Sequence, residues 1–141
     1  MGLSWQLGDR IGPLTKSPVS KVQLVRYAGA SDDYNPIHTD AEFARSVGLD
    51  GVIAHGMLTM AFVGQMLGDA LPPEGQLRRL GVRFMDMVRP GDEVVCEGTV
   101  TGVKTKQGVL WVDCDVWAEV AADRRRVVVG TALFSVPMIT D

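Results

Sequence analysis

The segment Gly51–Leu71, GVIAHGMLTMAFVGQMLGDAL, decides the reading of the fold. It is strongly apolar, and only His55, Gln65 and Asp69 interrupt it. The clean run is too short to cross a bilayer, so no membrane span is expected. Pro72-Pro73 closes the run, which predicts a helix from Gly56 to Ala70. A helix apolar on nearly every side must be wrapped by other structure.

Downstream the hydrophobic period changes to that of strands. Leu80, Val82, Phe84 and Met85 begin one, and Pro90-Gly91-Asp92 is a turn. Val94 to Lys104 forms the next, followed by a hairpin signal at Gln107-Gly108. Val109 to Val120 alternates as a half-buried strand should, and Ala121–Arg126 turns the chain into a last strand from Val127 to Val136. Upstream, a short strand is expected near Trp5 to Leu14. Ser20 is a suitable N-cap for a helix over Lys21 to Ala30, with Val22, Leu24 and Val25 as its apolar face. Thr39 is suited to cap a short helix from Asp40 to Ser46, stopped by Gly48. The expected fold class is α+β: one antiparallel sheet curled around one apolar helix, in a single domain over residues 1–141.

Composition narrows the function classes. Apolar residues at 46% are enough for a core, while a net charge of −3 leaves no basic face for nucleic acid. Cys96 and Cys114 lack metal spacing and lie in alternating apolar stretches, as reduced, half-buried thiols do. Met1 to Asp9 has no basic start followed by an apolar run, and Ile139-Thr140-Asp141 matches no common address signal. A cytoplasmic location is the resulting expectation.

The chemistry-bearing stretch is Ser31-Asp32-Asp33-Tyr34-Asn35-Pro36-Ile37-His38-Thr39-Asp40. On a regular helix, five residues would leave Asp33 and His38 about 140° apart around the axis. Pro36 drives Asn35 out of helical geometry, and the resulting turn can aim both side chains into one space while presenting Tyr34 and Ile37 to the flanking structure. A plainer alternative is that Asp32 or Asp33 caps a loop and His38 caps the next helix. At the start of the apolar helix, Gly56 offers a free backbone N–H and room for close approach, suited to a developing oxyanion. Its alternative role is a packing glycine where helix meets sheet. His55 suits a structural hydrogen bond better than direct catalysis. His38, His55, Asp33 and Asp40 fit no standard zinc spacing, so neither a metal nor another cofactor is expected.

Asp33-Tyr34-Asn35-Pro36-Ile37-His38, followed by Ile53-Ala54-His55-Gly56-Met57-Leu58, resembles the signature of the MaoC-like (R)-specific enoyl-CoA hydratases and 3-hydroxyacyl-thioester dehydratases. The resemblance covers nearly the whole chain. It implies the hotdog fold, and it implies Asp33 and His38 as the catalytic pair. It further implies Asn35 as the residue orienting them and the Gly56 N–H as donor to the thioester carbonyl. The implied reaction is reversible hydration of trans-2-enoyl thioesters of CoA or acyl carrier protein to (R)-3-hydroxyacyl thioesters, without a cofactor. Members of this family usually pair, with the site near the subunit interface. A homodimer is therefore implied, or a heterodimer with another hotdog subunit, as in the small dehydratase subunits of actinobacterial fatty-acid elongation. A hotdog acyl-CoA thioesterase is the rival on the same scaffold, and the Asp-x-Asn-Pro-x-His turn argues against it. A binding module without chemistry is a third reading. Arg124-Arg125-Arg126 is either a solvated hairpin end or a contact for coenzyme or carrier phosphates, and Arg78, Arg79, Arg83 and Arg89 are scattered candidates for the latter.

Overall fold

The computed structural model describes residues 4–138, so the readings resting on Met1 to Leu3 and on Ile139 to Asp141 lie outside the described residues. In chain order the elements are β1 (Arg10–Thr15), α1 (Lys21–Ser31), a 3-10 turn (Pro36–His38), α2 (Ala41–Ser46) and α3 (Gly56–Ala70). Four strands follow: β2 (Gln76–Phe84), β3 (Val94–Lys106), β4 (Val109–Val120) and β5 (Arg125–Pro137). All pair antiparallel in one sheet of order β1-β3-β4-β5-β2, so β1 and β2 are its edges. The α+β class is as expected.

The sheet is wrapped against α3. Leu58, Thr59, Phe62, Val63, Met66 and Leu67 are buried, a spacing that lays one stripe of the helix on the sheet. Every second residue of β3 and β4, from Val94 to Val100 and Val112 to Val120, meets that stripe or the core beside it. Each fully buried Val, Leu, Phe or Met among them contributes about 1.5–3 kcal/mol, so packing and not helix propensity holds α3. On the outer face, Trp111 and Trp117 are covered by the guanidinium groups of Arg78 and Arg126, at 5.2 and 4.8 Å from the ring centres. Gly130 is required where β5 passes β2: a Cβ there would lie 2.8 Å from Val82 Cα.

Several expectations need correcting. The helix α3 is not enclosed all round, because Met57, Ala61, Gln65, Gly68 and Asp69 face away from the sheet and are exposed. In α1 the buried pair is Leu24 and Ala28, one turn apart, while Val22 and Val25 point outward. Asp40, not Thr39, caps α2: the Pro36–His38 turn runs on into Thr39, so α2 starts at Ala41 and the Asp40 carboxylate accepts the Phe43 N–H at 3.1 Å. Strand β1 starts later than expected because Gln6 to Asp9 forms a turn, closed by the Asp9 N–H on the Gln6 carbonyl at 3.0 Å. Strand β2 starts earlier than the apolar alternation suggested, since an edge strand is wet on both sides and carries no clean pattern. Cys96 and Cys114 are fully buried free thiols, pushed up by desolvation to about 12 and about 11. No helix among the described residues is long and apolar enough to cross a membrane.

Candidate active site

The loop after α1 is built by its own short side chains. Ser31 Oγ donates to the Tyr27 carbonyl at 2.7 Å, and Asp32 turns the chain with a left-handed φ of 60°. Asp33 Oδ1 accepts the Asn35 N–H, and Asn35 Oδ1 accepts the Ile37 N–H, each at 3.2 Å. Pro36 then opens the 3-10 turn, where its missing N–H leaves no donor unpaired. Asn35 therefore acts on the backbone of the turn that carries His38; its side-chain hydrogen bond goes to the Ile37 N–H. Tyr34, expected to meet flanking structure, is exposed.

His38 is buried, with 8% of its surface exposed. Its Nδ1 lies 2.7 Å from the Ile53 carbonyl oxygen. A carbonyl only accepts, so Nδ1 carries the proton and a neutral His38 presents Nε2 as a free base. That Nε2 lies 3.9 Å from Asp33 Oδ2, whose side chain is half exposed. The structure thus brings Asp33 and His38 together across a gap too long for a direct hydrogen bond. The carbonyl that holds His38 is fixed in turn: the Ile53 N–H donates to the Ile37 carbonyl at 3.1 Å, and the Ala54 N–H to the Val88 carbonyl at 2.7 Å.

His55 lies at the junction of these segments, 1% exposed. Its Nε2 donates to the Asp33 carbonyl at 3.2 Å, so the structural reading of His55 holds. Its ring stacks on His38 with centroids 3.8 Å apart and planes at 21°, and the edge of Tyr27 closes the other side at 4.7 Å. Burial is the main cause that lowers the His55 pKa; the Asp33 carbonyl opposes it, and the neighbouring His38 adds to it. The ligand atoms of Asp33, His38 and His55 fall within 4.8 Å of one another. Each ring spends one nitrogen on a backbone carbonyl, which leaves His38 Nε2, His55 Nδ1 and the Asp33 carboxylate as the remaining donors of this cluster.

His55 also precedes α3 without a side-chain cap. Its carbonyl takes the Leu58 N–H at 3.1 Å, while the N–H groups of Gly56 and Met57 have no acceptor among the described residues. The positive end of the helix dipole and two free donors therefore face outward beside Asp33 and His38. The packing role of Gly56 is also present, because a Cβ there would lie 3.1 Å from the ring of Phe84 at the end of β2. The Tyr27 edge and the Ile53 carbonyl left no sign in the sequence pattern, because the fold alone brings them against the two imidazoles. The approach of Phe84 leaves a trace in the glycine itself.

Residues 6–120 match the MaoC like domain. The chain belongs to that family. An (R)-specific enoyl-CoA hydratase from Aeromonas caviae is 30% identical over 117 residues, which cover 82% of this chain and 84% of that protein. The unliganded R-hydratase of Pseudomonas aeruginosa superposes with a TM-score of 0.83 at 28% identity, over 96% of this chain and 84% of its own. Fatty acid synthase subunit beta of Aspergillus oryzae shares 44% identity over 71 residues; that match takes in 48% of this chain but only 4% of the much longer synthase. The hotdog architecture of the MaoC-like family is thus the architecture of this chain.

The lowered His55 pKa ties stability to pH. The unfolded chain binds this proton near the ordinary imidazole value of 6.5, the folded chain only at lower pH. Stability from neutral, buried His55 is therefore complete above about pH 6.5 and is lost as pH falls from there toward the folded value. Urea unfolding at about pH 7.5 and about pH 5.5 should show a smaller difference for His55→Gln than for the parent protein. Equal differences would mean that His55 does not carry the linkage.

Proposed function

We propose that this MaoC-like protein catalyses the reversible addition of water to trans-2-enoyl thioesters, giving (R)-3-hydroxyacyl thioesters, with Asp33 and His38 as the acid–base pair. The observation that carries this reading is the free Nε2 of His38, a ring held at Nδ1 by the Ile53 carbonyl, facing Asp33 Oδ2 across 3.9 Å. One water oxygen can sit within hydrogen-bond distance, about 2.8 Å, of both atoms. Neutral His38 takes a proton as the water oxygen bonds to C3 of the enoyl group. The C2–C3 double bond becomes single, and the pair returns one proton to C2, so it ends the turnover as it began. The thioester oxygen gathers negative charge on the way, and the Gly56 N–H is suited to hold it. One such donor is worth about 3 kcal/mol in the transition state. Dehydration is the same path reversed.

Both CoA and acyl carrier protein thioesters belong to this reading. Arg89 supports an anionic carrier: with Lys21 and Arg45 it lines a shallow depression of about 220 Å³ in which Asp50 is the one carboxylate. Arg78 and Arg79 are engaged elsewhere, with Ser135 and Asp113. Two unpaired, buried thiols suit a reducing, cytoplasmic setting.

His38→Ala and Asp33→Asn should each lower kcat on crotonyl-CoA by about 100-fold or more, with an unchanged circular dichroism spectrum. Loss of enoyl absorbance gives the rate, and chiral analysis of the product should return the (R) alcohol. Full activity in both variants overturns the assignment, and release of free thiol from a saturated acyl-CoA would favour a thioesterase instead.

The two roles of Gly56 separate in a double variant. Gly56→Ala should fail because its methyl meets the Phe84 ring. If that clash alone matters, Phe84→Ala restores activity to Gly56→Ala; if the glycine leaves room for the thioester, the double variant stays at least about tenfold slow in kcat/KM.

A partner subunit belongs to the same reading. Strand β2 is a sheet edge; Leu77 and Phe84 on it, Met85 and Met87 in the loop that follows and Met57 of α3 are all exposed. These support pairing with a second copy, or with another hotdog subunit. Native mass spectrometry of the chain expressed alone should give a dimer for the first. An inactive monomer that gains activity with a hotdog partner favours the second, and a fully active monomer excludes both.

A further inference from the structure

The basic run at the β4–β5 hairpin divides in the structure. Arg126 lies 3.4 Å from Glu119 and covers Trp117, whereas the Arg125 side chain turns inward and is only one quarter exposed. Its Nη1 donates to the Met87 carbonyl at 2.7 Å and lies 3.2 Å from Asp86 Oδ1. Its Nη2 is 3.8 Å from Asp92 Oδ2, and its Nε 3.3 Å from Asp123 Oδ2. A guanidinium carries five N–H groups in a fixed fork, and here that fork is spread over one carbonyl and three carboxylates. Met87, Asp86 and Asp92 all belong to the loop that joins β2 to β3. The Met87 N–H first, and Arg125 with it, hold the Asp86 carboxyl below its ordinary range.

That loop touches the candidate active site at one point. The Val88 carbonyl, next to the one that Arg125 holds, accepts the Ala54 N–H at 2.7 Å. Ala54 stands between Ile53, whose carbonyl fixes His38 Nδ1, and His55, whose ring stacks on His38. The far end of the loop has further ties: Asp92 Oδ2, which Arg125 also approaches, accepts the Arg89 N–H at 2.9 Å, and Gly91 and Asp92 exchange hydrogen bonds with Val19 just before α1. Without Arg125, Asp86, Asp92 and Asp123 would lose the one guanidinium they share, with only the more distant charge of Arg89 still acting on Asp86, and the Met87 carbonyl would lose its donor.

We propose that Arg125 is a positioning residue for the Asp33–His38 pair, acting through Met87, Val88, Ala54 and Ile53 on the orientation of the His38 ring. This rests on the hydratase reading given above. Lysine is a poor substitute here, because one ammonium on a flexible stem cannot reach all four acceptors.

The test uses the full chain with Arg125→Met and Arg125→Lys, followed by kinetics on the enoyl thioester and by amide hydrogen exchange. Arg125→Met should lower kcat by about tenfold or more with KM changed by less than about threefold, as expected when a reacting group is misaimed. The Ala54 amide should exchange about tenfold faster, while that of Val116 in the centre of β4 does not change. Arg125→Lys should recover part of both effects. Unchanged exchange at Ala54 overturns the proposal, as does faster exchange at Ala54 and Val116 alike, which marks a general loss of stability. A rise in KM with kcat intact also overturns it, since that marks a binding contact. Should Arg125→Met fail to fold, Arg125→Lys decides by the same readouts. The exchange measurement needs no turnover, so an inactive parent protein would count against the hydratase reading without obscuring the link from Arg125 to Ala54.

Discussion

The site depends on how Ile53 and Ala54 satisfy their backbone groups. These two residues lie in no helix or strand, so no ladder supplies their partners. The Ile53 N–H goes to Ile37, the Ile53 carbonyl to His38 Nδ1, and the Ala54 N–H to Val88. Three separate parts of the chain are thereby set against one another: the turn bearing His38, the start of α3 and the loop after β2. A buried amide or carbonyl left unpaired costs about 1–3 kcal/mol, so the junction resists drift in any one of its members. The tautomer of His38 follows directly from it. With its proton on Nδ1, the neutral ring keeps its lone pair on Nε2.

The stacked imidazoles carry the next constraint. Two unit charges about 4 Å apart repel by about 4 kcal/mol at an effective dielectric near 20, so the rings at 3.8 Å do not readily hold two protons. Burial decides which of them resists. His55 is enclosed by Tyr27, His38 and the Asp33 carbonyl, and its pKa is lowered by desolvation first. Burial therefore opposes a charge on His55, one face of whose ring is covered by His38. His55 also ties the two halves of the motif covalently distant in sequence, since its Nε2–H closes on the backbone of Asp33, 22 residues earlier.

What the sequence made legible was local. The Ser20 cap, the Pro72-Pro73 stop and the Gln107-Gly108 hairpin each depend on neighbours a few residues away, and each stands where it was expected: Ser20 Oγ accepts the Gln23 N–H, α3 ends at Ala70, and β3 turns into β4 at residues 107–108. The gathering of Asp33 and His38 was legible for the same reason, because the Asn-Pro turn forces it. The failures were matters of tertiary context. Val22 and Val25 look like a buried face until Leu24 and Ala28 are seen to point at the core. Strand β2 hides its first residues because an edge has no inside and outside to alternate between. Arg125 reads as one more surface charge, since the acceptors that draw it inward lie as far as 39 residues earlier, at Asp86, and only two residues away at Asp123.

Burial across the pair is uneven, and the unevenness has a physical use. His38 is packed and oriented, whereas the Asp33 carboxylate is half exposed in the single chain. A carboxylate in water is well solvated and interacts weakly; the same group closed off from water interacts several times more strongly with whatever faces it. The groups able to close it off are at hand, for Met57, Phe84 and Met85 expose apolar surface around the start of α3. Covering that surface, by an acyl chain or by a second subunit, would remove water from Asp33 and from the free N–H groups of Gly56 and Met57 together. Each of these gains strength as the dielectric falls, and none has to move to do so. The cost of covering is offset by burial of the apolar side chains themselves, at about 25 cal/mol per Å². An apolar edge beside a polar site is thus a coherent arrangement: the first supplies the free energy of closure, and the second is what closure activates.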